Sequence, residues 1–260
     1  MNTAVKAGDY HIVIPARHAS ERLPGKVLLD LAGQPVLQHV WQRACESGAK
    51  TVTVATDDPR IADVAEAFGA RVVMTASDHQ SGSDRIAECA GRLGWPGDQL
   101  VVNLQGDEPL MPPACLDQVA GLLGQFPDCE VASLYWPITA AEEVRNPNAV
   151  KVVTDARGHA MYFSRAPIPH ARAYGSIDEA LAAGTVWKRH LGLYAYRLAA
   201  LNRYTACAPT PLEQSERLEQ LRIMEQGGRI AMARACEFIP AGIDTAEDLH
   251  RANNYIKRLK

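Results

Sequence analysis

The sequence lacks the features that mark several large classes of protein. No apolar run approaches the roughly 18 residues that span a bilayer, and the opening segment MNTAVKAGDY has no apolar signal core. The six cysteines form no CxxC pair, which argues against a zinc site or a disulfide framework and predicts free thiols in a reducing cytoplasm. The scattered histidines predict no metal cluster. A net charge of −3 gives no reason to expect nucleic acid or a membrane as a partner.

Both common glycine-rich nucleotide loops are also absent. The pattern GxxxxGKS/T does not occur, and no GxGxxG follows the first predicted strand. A doubly wound NAD oxidoreductase is therefore disfavoured, since the acidic ribose-binding residue roughly 20 positions further on is missing as well. Any bound nucleotide must be held mainly by side chains rather than by a backbone cradle.

Strand and helix patterns alternate through the first half of the chain. Four segments predict strands: YHIVIPA, TVTVAT, RVVM and QLVVNLQ. The last is too apolar for a sheet with one wet face, which predicts buried strands. The intervening segments have helical spacing of apolar residues, and Asp58 followed by Pro59 is typical of a helix start. This alternation predicts an α/β fold with a doubly wound, mostly parallel sheet, whose ligands bind beyond the carboxyl ends of the strands.

The second half of the chain has a different pattern. Further strands are predicted at EVASLYWPI, AVKVVTD, HAMYFSR, HLGLYAYR and RIAMARA, with a hairpin turn at 155–158. The segment PLEQSERLEQLRIMEQGG predicts one long helix, and a capping box at Thr245 and Asp248 predicts a closing one. No linker or repeat interrupts the chain, so residues 1–260 are predicted to form a single domain.

Basic side chains crowd the loop that follows the first strand, in the stretch IPARHASERLPGK. Arg17 and Arg22 can bind phosphate oxygens bidentately, and Lys26 can act as a point charge. The alternative is an ordinary solvated loop, which composition alone would favour. The choice between the two depends on what lies beyond the other strand ends.

Carboxylates stand at two of those ends. Asp107 follows the fourth predicted strand, and Asp244 follows the late strand RIAMARA. Carboxylate oxygens suit Mg²⁺, and with the basic loop they predict a site for a nucleoside triphosphate and magnesium. The alternative is that both side chains only cap the helices that follow them.

The stretch DHQSGSDR follows the third strand and offers groups that can read the edge of a base. Gln80, Ser81 and Gly82 provide side-chain and close backbone contacts. Arg85 lies one turn into the next helix, where it can face phosphates. The alternative is that Ser83 caps that helix and the stretch has no further role.

Taken together, these segments resemble the 3-deoxy-manno-octulosonate cytidylyltransferase family, also called CMP-Kdo synthetases. The resemblance rests on eight blocks in order: IPARHASERLPGK, DHQSGSDRIAE, NLQGDEP, NPNAVKVV, MYFSRAPIP, RHLGLYAYR, PLEQSERLEQLR and GIDTAEDL. It implies a nucleotidyltransferase fold, dependence on Mg²⁺, and a homodimer that uses about residues 156–200. The implied reaction transfers CMP from CTP to 3-deoxy-D-manno-octulosonate (Kdo), an acidic sugar of lipopolysaccharide. The alternative is another acid-sugar cytidylyltransferase, such as the sialic acid type.

The resemblance also assigns roles to individual residues. The implied catalytic residues are Lys26, Asp107 and Arg22, and the implied magnesium ligands are Asp107 and Asp244. The implied nucleotide-binding residues are Ala16, Arg17, Arg22, Lys26, Gln80, Ser81, Gly82, Arg85 and Asp107. The implied Kdo-binding residues are Gln105, Arg165, His190, Tyr194, Glu219 and Gln220, with Arg165 as the cation for the sugar carboxylate.

Without the resemblance, plain structural roles stay open for the sugar-binding set. Tyr194 can be a packing residue across strands, and His190 can be a hydrogen-bonded structural histidine. Glu219 and Arg165 can each belong to an ion pair. The chain departs from the pattern of its relatives at Ser215 and Arg217, where apolar residues are common. The outer face of that predicted helix is therefore expected to differ.

Overall fold

A computed structural model of the protein describes residues 9–19, 23–79 and 81–259. Its strands are β1 (Tyr10–Ala16), β2 (Asp30–Leu31), β3 (Gln34–Pro35), β4 (Thr51–Thr56), β5 (Arg71–Met74), β6 (Leu100–Asn103), β7 (Val131–Ile138), β8 (Lys151–Thr154), β9 (Ala160–Ser164), β10 (Trp187–Arg197) and β11 (Ile230–Arg234). Its helices are α1 (Val36–Cys45), α2 (Pro59–Ala67), α3 (Gly82–Arg92), α4 (Pro113–Gln125), α5 (Ala141–Arg145), α6 (Ile177–Ala182), α7 (Leu198–Thr205), α8 (Pro211–Glu216), α9 (Gln220–Glu225) and α10 (Ala246–Leu259). Two predicted site residues, Arg22 and Gln80, lie outside the described residues.

The main sheet has nine strands within the described ranges, seven of them in the order β11-β7-β10-β6-β1-β4-β5. Four pairings along this order are parallel: β11 with β7, β6 with β1, β1 with β4, and β4 with β5. β10 lies antiparallel between β6 and β7. The predicted α/β fold with a mostly parallel sheet is therefore confirmed. Because β10 is antiparallel, its first half lies at the same edge as the carboxyl ends of β1 and β6.

The central strands are buried on both faces, as their apolar sequences predict. Every residue of β1 and β6 is buried. Along β1, Ile12 and Ile14 pack in a cluster that includes α1 and α4, whereas Val13 packs with α3 and α7. Alternate side chains thus enter opposite layers, because successive residues of a strand point to opposite faces. No helix of the described residues is long and apolar enough to cross a bilayer.

Side-chain caps set the starts of two helices near the edge. Asp58 accepts a hydrogen bond from the backbone N–H of Arg60 at 2.9 Å, as predicted for α2. For α3 the cap is Ser81, so the alternative that Ser83 caps this helix was wrong. The Ser81 hydroxyl accepts from the N–H of Asp84 at 3.1 Å, and the Asp84 carboxylate accepts from the N–H of Ser81 at 3.1 Å. This reciprocal pair requires an acid three residues after the cap, and only Ser81 has one.

The predicted long helix over PLEQSERLEQLRIMEQGG is in fact two short helices, α8 and α9. The chain breaks at Arg217, whose backbone is left-handed with φ 54° and ψ 47°. The cause is a competing donor. The Arg165 guanidinium donates hydrogen bonds to the carbonyl oxygens of Glu216 and Arg217, at 2.7 and 3.2 Å. In a continuous helix these carbonyls would instead accept from backbone N–H groups four residues further on. A tertiary contact has therefore overridden the helical pattern of the local sequence.

The predicted hairpin turn at 155–158 is confirmed between β8 and β9. The Asp155 carboxylate accepts from the backbone N–H groups of Arg157 and His159, each at 2.8 Å. Gly158 has φ 93°, which favours glycine, and its carbonyl accepts from the N–H of Met232 in β11 at 2.7 Å. The turn is thereby attached to the sheet, while β9 pairs with β8 alone among the described strands.

Candidate active site

A cavity of about 420 Å³ opens at the carboxyl edge of β1 and β6. Its walls come from the end of β1, the start of α3, the middle of β10 and the connection between α8 and α9. The predicted site residues that line it are Ala16, Arg17, Ser81, Gly82, Arg85, Gln105, His190, Tyr194, Glu219 and Gln220. The fold therefore brings most of the predicted site to the edge at which ligands of such sheets bind.

Asp107, Asp244 and Lys26 form a cluster just beyond Gln105. The Lys26 ammonium donates to the carboxylates of Asp107 and Asp244, the latter at 2.9 Å. The two acids are far apart in the chain, but the N–H of Ile243 donates to the Asp107 carbonyl at 2.8 Å and joins their loops. Gly242 permits this approach, since a Cβ there would lie 3.1 Å from the same carbonyl oxygen.

Negative charge is concentrated in this carboxylate–lysine cluster. Burial alone would lower the pKa of Lys26, but Asp107 and Asp244 together raise it, so the ammonium stays charged. The pKa of the neighbouring Glu108 is raised to about 8, first by burial and then by the charges of Asp107 and Asp244. Hard carboxylate oxygens that converge in this way fit a divalent cation such as Mg²⁺. The magnesium role of the two aspartates stays a prediction that the chemistry of the donors suits.

The start of α3 forms the wall of the cavity next to β1. At Gly82 the backbone of α3 lies close to the side chains of Pro15 and Gln105. A Cβ at this position would be 3.3 Å from the Pro15 ring and 3.5 Å from the Gln105 amide nitrogen. The Ser81 hydroxyl accepts the bond that caps α3, and a hydroxyl that accepts one bond can still donate its proton to a ligand. Both features suit the predicted role of this wall in reading a base.

The two arginines on this side of the cavity differ in their surroundings. Arg85 is only 4% exposed, and its guanidinium pairs with Asp57 at 3.1 Å and donates to the Thr75 hydroxyl. These contacts anchor α3 to the segments after β4 and β5. Arg17 belongs to none of the ion pairs within the described ranges, so its charge faces the cavity without a neutralising carboxylate there. Arg17 therefore remains the better candidate for an incoming phosphate.

The opposite wall is mainly polar, and its charged residues are Glu219 and Arg217. The His190 ring nitrogen lies 3.1 Å from the Ser133 hydroxyl, and its ring packs edge-on against Phe163. Gln220 is buried, and its side-chain nitrogen has no hydrogen-bond partner in the described part of the chain. Glu219 accepts from the Tyr204 hydroxyl at 3.1 Å, and burial raises the pKa of Glu219. An unpartnered buried amide is costly, so Gln220 is poised for a polar ligand.

His190 is expected to make the stability of the protein depend on pH. Burial lowers the pKa of His190 from 6.5 to about 3. Its contribution to the free energy of unfolding is therefore fully present above pH 6.5 and is lost as the pH falls toward 3. The expected loss approaches at most about 1.4 kcal/mol per pH unit. Urea unfolding of the wild type and of His190→Gln across this range checks it: the wild type should lose stability more steeply, and equal slopes would contradict the expectation.

Arg165 is not among the residues that line the cavity. Its three guanidinium nitrogens donate to the backbone carbonyls of Glu216, Arg217 and Pro147, at 2.7, 3.2 and 3.0 Å. Its own N–H donates to the Glu216 carboxylate at 2.9 Å. The structure thus places the predicted sugar-carboxylate ligand behind the connection between α8 and α9, where it holds the backbone.

Several residues of the cavity wall were not predicted. Asn103, Tyr196 and Tyr204 line the cavity, and the Tyr196 hydroxyl interacts with Asn103. Asn103 could have been found, because it is the polar residue of a strand that is otherwise apolar and fully buried. Tyr204 had no such signal, since α7 has the pattern of an ordinary amphipathic helix.

One of the scattered histidines belongs to a second group of possible metal ligands. Donor atoms of Asp128, Cys129 and His159 lie within 4.8 Å of one another, because the turn between β8 and β9 is attached beside the start of β7. Two of them already have partners, since Asp128 pairs with Arg229 at 2.7 Å and His159 with Asp155 at 3.0 Å. This group lies at the end of the sheet opposite the cavity and fixes the hairpin.

The fold and the carboxylate–lysine cluster beside the cavity define the nucleotidyltransferase class. A family model described as cytidylyltransferase matches residues 11–230. A 3-deoxy-manno-octulosonate cytidylyltransferase of Coxiella burnetii is 50% identical over 95% of this chain and 99% of its own length. The 3-deoxy-manno-octulosonate cytidylyltransferase of Thioalkalivibrio sulfidiphilus is 51% identical over 96% of this chain and 99% of its own length. The chain belongs to the 3-deoxy-manno-octulosonate cytidylyltransferase family.

Solved structures agree with this assignment. A CMP:2-keto-3-deoxy-manno-octonic acid synthetase complexed with CTP superposes with a TM-score of 0.88 and 39% identity, covering 96% of this chain and all of that one. A cytidylyltransferase from Leptospira borgpetersenii superposes with a TM-score of 0.63 at 18% identity, covering 96% of this chain and 87% of that one. The second similarity concerns the fold alone.

Proposed function

We propose that the chain transfers CMP from CTP to Kdo and releases pyrophosphate, as a step of lipopolysaccharide synthesis. The observation that carries the proposal is the asymmetry of the cavity. One side has Arg17 and, just beyond Gln105, the carboxylate–lysine cluster; the other is built mainly from amide, imidazole and phenol groups, with Glu219 and Arg217 as its charged residues. A triphosphate with its metal suits the first side, and a hydroxyl-rich sugar suits the second. The printed names of relatives at 50% identity support the same reaction.

The reaction joins two anions, so charge compensation is its main requirement. The anomeric hydroxyl oxygen of Kdo bonds to the α-phosphorus, the bond to the pyrophosphate oxygen breaks, and the hydroxyl proton is released. Lys26 and Arg17 are placed to stabilise the charge that develops on the leaving pyrophosphate. Magnesium, held by Asp107 and Asp244, supplies Lewis-acid activation and charge neutralisation when it is bound. The chain's own part is to hold the two reactants in line, without a covalent intermediate.

Pyrophosphate release tests this proposal directly. CTP and Mg²⁺ with Kdo should release pyrophosphate, whereas CTP and Mg²⁺ alone should release almost none. Sialic acid in place of Kdo tests the related activity, and a preference for sialic acid would overturn the proposed substrate. No release with either acid, from a protein that binds CTP, would overturn transfer itself and favour a nucleotide-sensing role. A cytoplasmic location is part of the proposal, and the six free thiols fit it.

We also propose a homodimer that uses the region 156–200. β9 pairs with β8 alone among the described strands, and large apolar side chains of this region are exposed: Met161 at 62%, Val186 at 56% and Tyr174 at 40%. An exposed strand edge with apolar side chains favours association with another chain. A second copy of the chain is the occupant that the family resemblance implies.

A charge placed on this surface should therefore separate the subunits. Light scattering of the wild type should give twice the chain mass of 28.3 kDa, and Met161→Glu should give the single-chain mass at micromolar concentration. Circular dichroism should stay unchanged, since Met161 is exposed. A wild-type mass equal to one chain at every concentration would contradict the proposal.

A further inference from the structure

Three side chains of metal-binding type meet beside the turn between β8 and β9. The Asp128 carboxylate, the Cys129 thiol and the His159 imidazole each offer a donor atom, and these atoms lie within 4.8 Å of one another. Asp128 and Cys129 lie just before β7, whereas His159 directly precedes β9 and pairs through its backbone with Ala231 in β11. The sequence has no spacing signature for this group, because its members meet only through the pairing of distant strands.

His159 is oriented as a histidine that ligates a metal usually is. Its Nδ1 lies 3.0 Å from the Asp155 carboxylate, which holds the ring proton on Nδ1 and leaves a lone pair on Nε2. The Nε2 atom is buried, makes no hydrogen bond within the described ranges, and faces the Asp128 carboxylate at 3.4 Å. The ring is also fixed by edge-on packing against Phe126, with the centroids 5.6 Å apart. In the neutral ring, Nε2 and the Asp128 carboxylate are both acceptors, and a cation between them satisfies both.

Cys129 makes the group suitable for a transition metal rather than for magnesium. Its side chain is fully buried, and burial raises the pKa of the thiol to about 12, with a further contribution from the charge of Asp128. The thiol is therefore inert by itself, and a bound cation is needed to hold it as a thiolate. Thiolate and imidazole donors select Zn²⁺ and similar ions, whereas the carboxylates of the carboxylate–lysine cluster suit hard cations.

The ion pairs that the group already makes are compatible with a metal. Asp128 pairs with Arg229 at 2.7 Å, but the two side chains are 46% and 61% exposed, and such pairs contribute little to stability. A carboxylate has two oxygens, so Asp128 can ligate through one of them and keep Arg229 on the other. Asp155 bonds to the ring nitrogen of His159 that points away from Asp128, and this bond supports ligation instead of competing with it.

We propose that Asp128, Cys129 and His159 bind one divalent transition-metal ion, for which Zn²⁺ is the best match. Asp155 is then the positioning residue for His159. Three protein ligands leave one tetrahedral position for water, and binding releases the thiol proton to solvent. The site lies at the end of the sheet opposite the cavity, so the metal fixes the base of the hairpin and takes no part in CMP transfer. The inference is therefore independent of the proposed function.

Cobalt is the probe for this site, because a thiolate bound to Co²⁺ gives a charge-transfer absorption band that carboxylate ligands do not give. One equivalent of Co²⁺ added to chelator-treated wild type, kept reduced with a phosphine, should produce this band. Cys129→Ser and His159→Gln should abolish it, while their circular dichroism in the presence of chelator stays that of a folded protein. Zn²⁺ should displace Co²⁺, remove the band and raise the melting temperature of the wild type.

Two further variants make the test specific. Cys236→Ser is the matched control and should keep the band, since Cys236 is exposed and its sulfur lies 3.7 Å from that of Cys115, the rival pair of thiols. Asp155→Asn should weaken Zn²⁺ binding roughly ten- to a hundred-fold, because an amide N–H there moves the ring proton of His159 to Nε2. Its remaining carbonyl oxygen can still accept from the backbone N–H groups of the turn, so the hairpin should persist.

Two results would overturn the inference. A band that survives in Cys129→Ser and disappears in Cys236→Ser would move the metal to the other thiol pair. Absence of the band in the folded wild type would mean that no metal binds here, and that His159 is a protonated imidazolium between the carboxylates of Asp128 and Asp155.

Discussion

Replacing Asp107 by asparagine is expected to reduce turnover roughly a hundred- to a thousand-fold, which is the scale for removing one group that stabilises transition-state charge. The change keeps the volume of the side chain but removes one of the two carboxylates that converge on Lys26. Mg²⁺ prefers charged oxygen donors, so the remaining Asp244 alone should hold it poorly. Pyrophosphate release at saturating CTP, Kdo and Mg²⁺ measures the effect.

The fold should survive this substitution. Lys26 keeps its bond to Asp244 at 2.9 Å, so the free energy of unfolding should fall by only about 1 kcal/mol. Asp128→Asn is the matched control, since it also removes an ion-paired carboxylate, here from Arg229, at the opposite end of the sheet. Its activity should equal that of the wild type. Normal turnover of Asp107→Asn at saturating Mg²⁺ would show that Asp107 has no metal role.

Lys26→Met should reduce turnover roughly a hundred- to a thousand-fold, because the charge on the leaving pyrophosphate loses its lysine. It should also destabilise the fold. The ammonium is the counter-charge of two carboxylates, and its side chain is only 14% exposed. Removing the ammonium leaves the charge of the two carboxylates uncompensated. Because Asp244 is 44% exposed, water screens part of that charge. The free energy of unfolding is therefore expected to fall by about 1–3 kcal/mol, which is less than for a fully buried pair.

Magnesium should partly reverse that loss of stability. Removing the ammonium removes a cation that competes with Mg²⁺ for Asp107 and Asp244, so Mg²⁺ should raise the melting temperature more in Lys26→Met than in the wild type. Thermal unfolding with and without Mg²⁺, in the absence of CTP, measures this difference. Equal shifts in the two proteins would mean that the ion binds elsewhere.

Much of the fold was predictable because the relevant signals are local. β1, β4 and β6 are apolar enough to be recognised as buried strands, and Asp58 and the turn at 155–158 have local signatures. The insertion of β10 between β6 and β7 was not predictable, since a pattern reports burial and period but not which strands pair. The division of the long helix escaped prediction for a related reason, because Arg165 acts on it from a distant segment.

The candidate site was predictable to the extent that it follows from strand ends. Asp107 and Asp244 lie beyond two strands of the sheet, and the position alone suggested that they meet. The surroundings of Arg165 were not predictable, because its partners are backbone carbonyls, which have no sequence signature. Family blocks identify which residues recur, whereas a side chain that holds the backbone and one that holds a ligand look the same in a sequence.

The loop contact between Ile243 and Asp107 makes the active centre depend on a segment that follows the sheet in the chain. Every described strand ends at or before Arg234, whereas Asp244 comes later. Ile243 is fully buried in the main core cluster, so the segment that carries Asp244 is held by packing as well as by the bond to Asp107. A proteolytic cut between Arg234 and Asp244 would therefore separate one carboxylate of Lys26 from the part of the chain that contains every described strand.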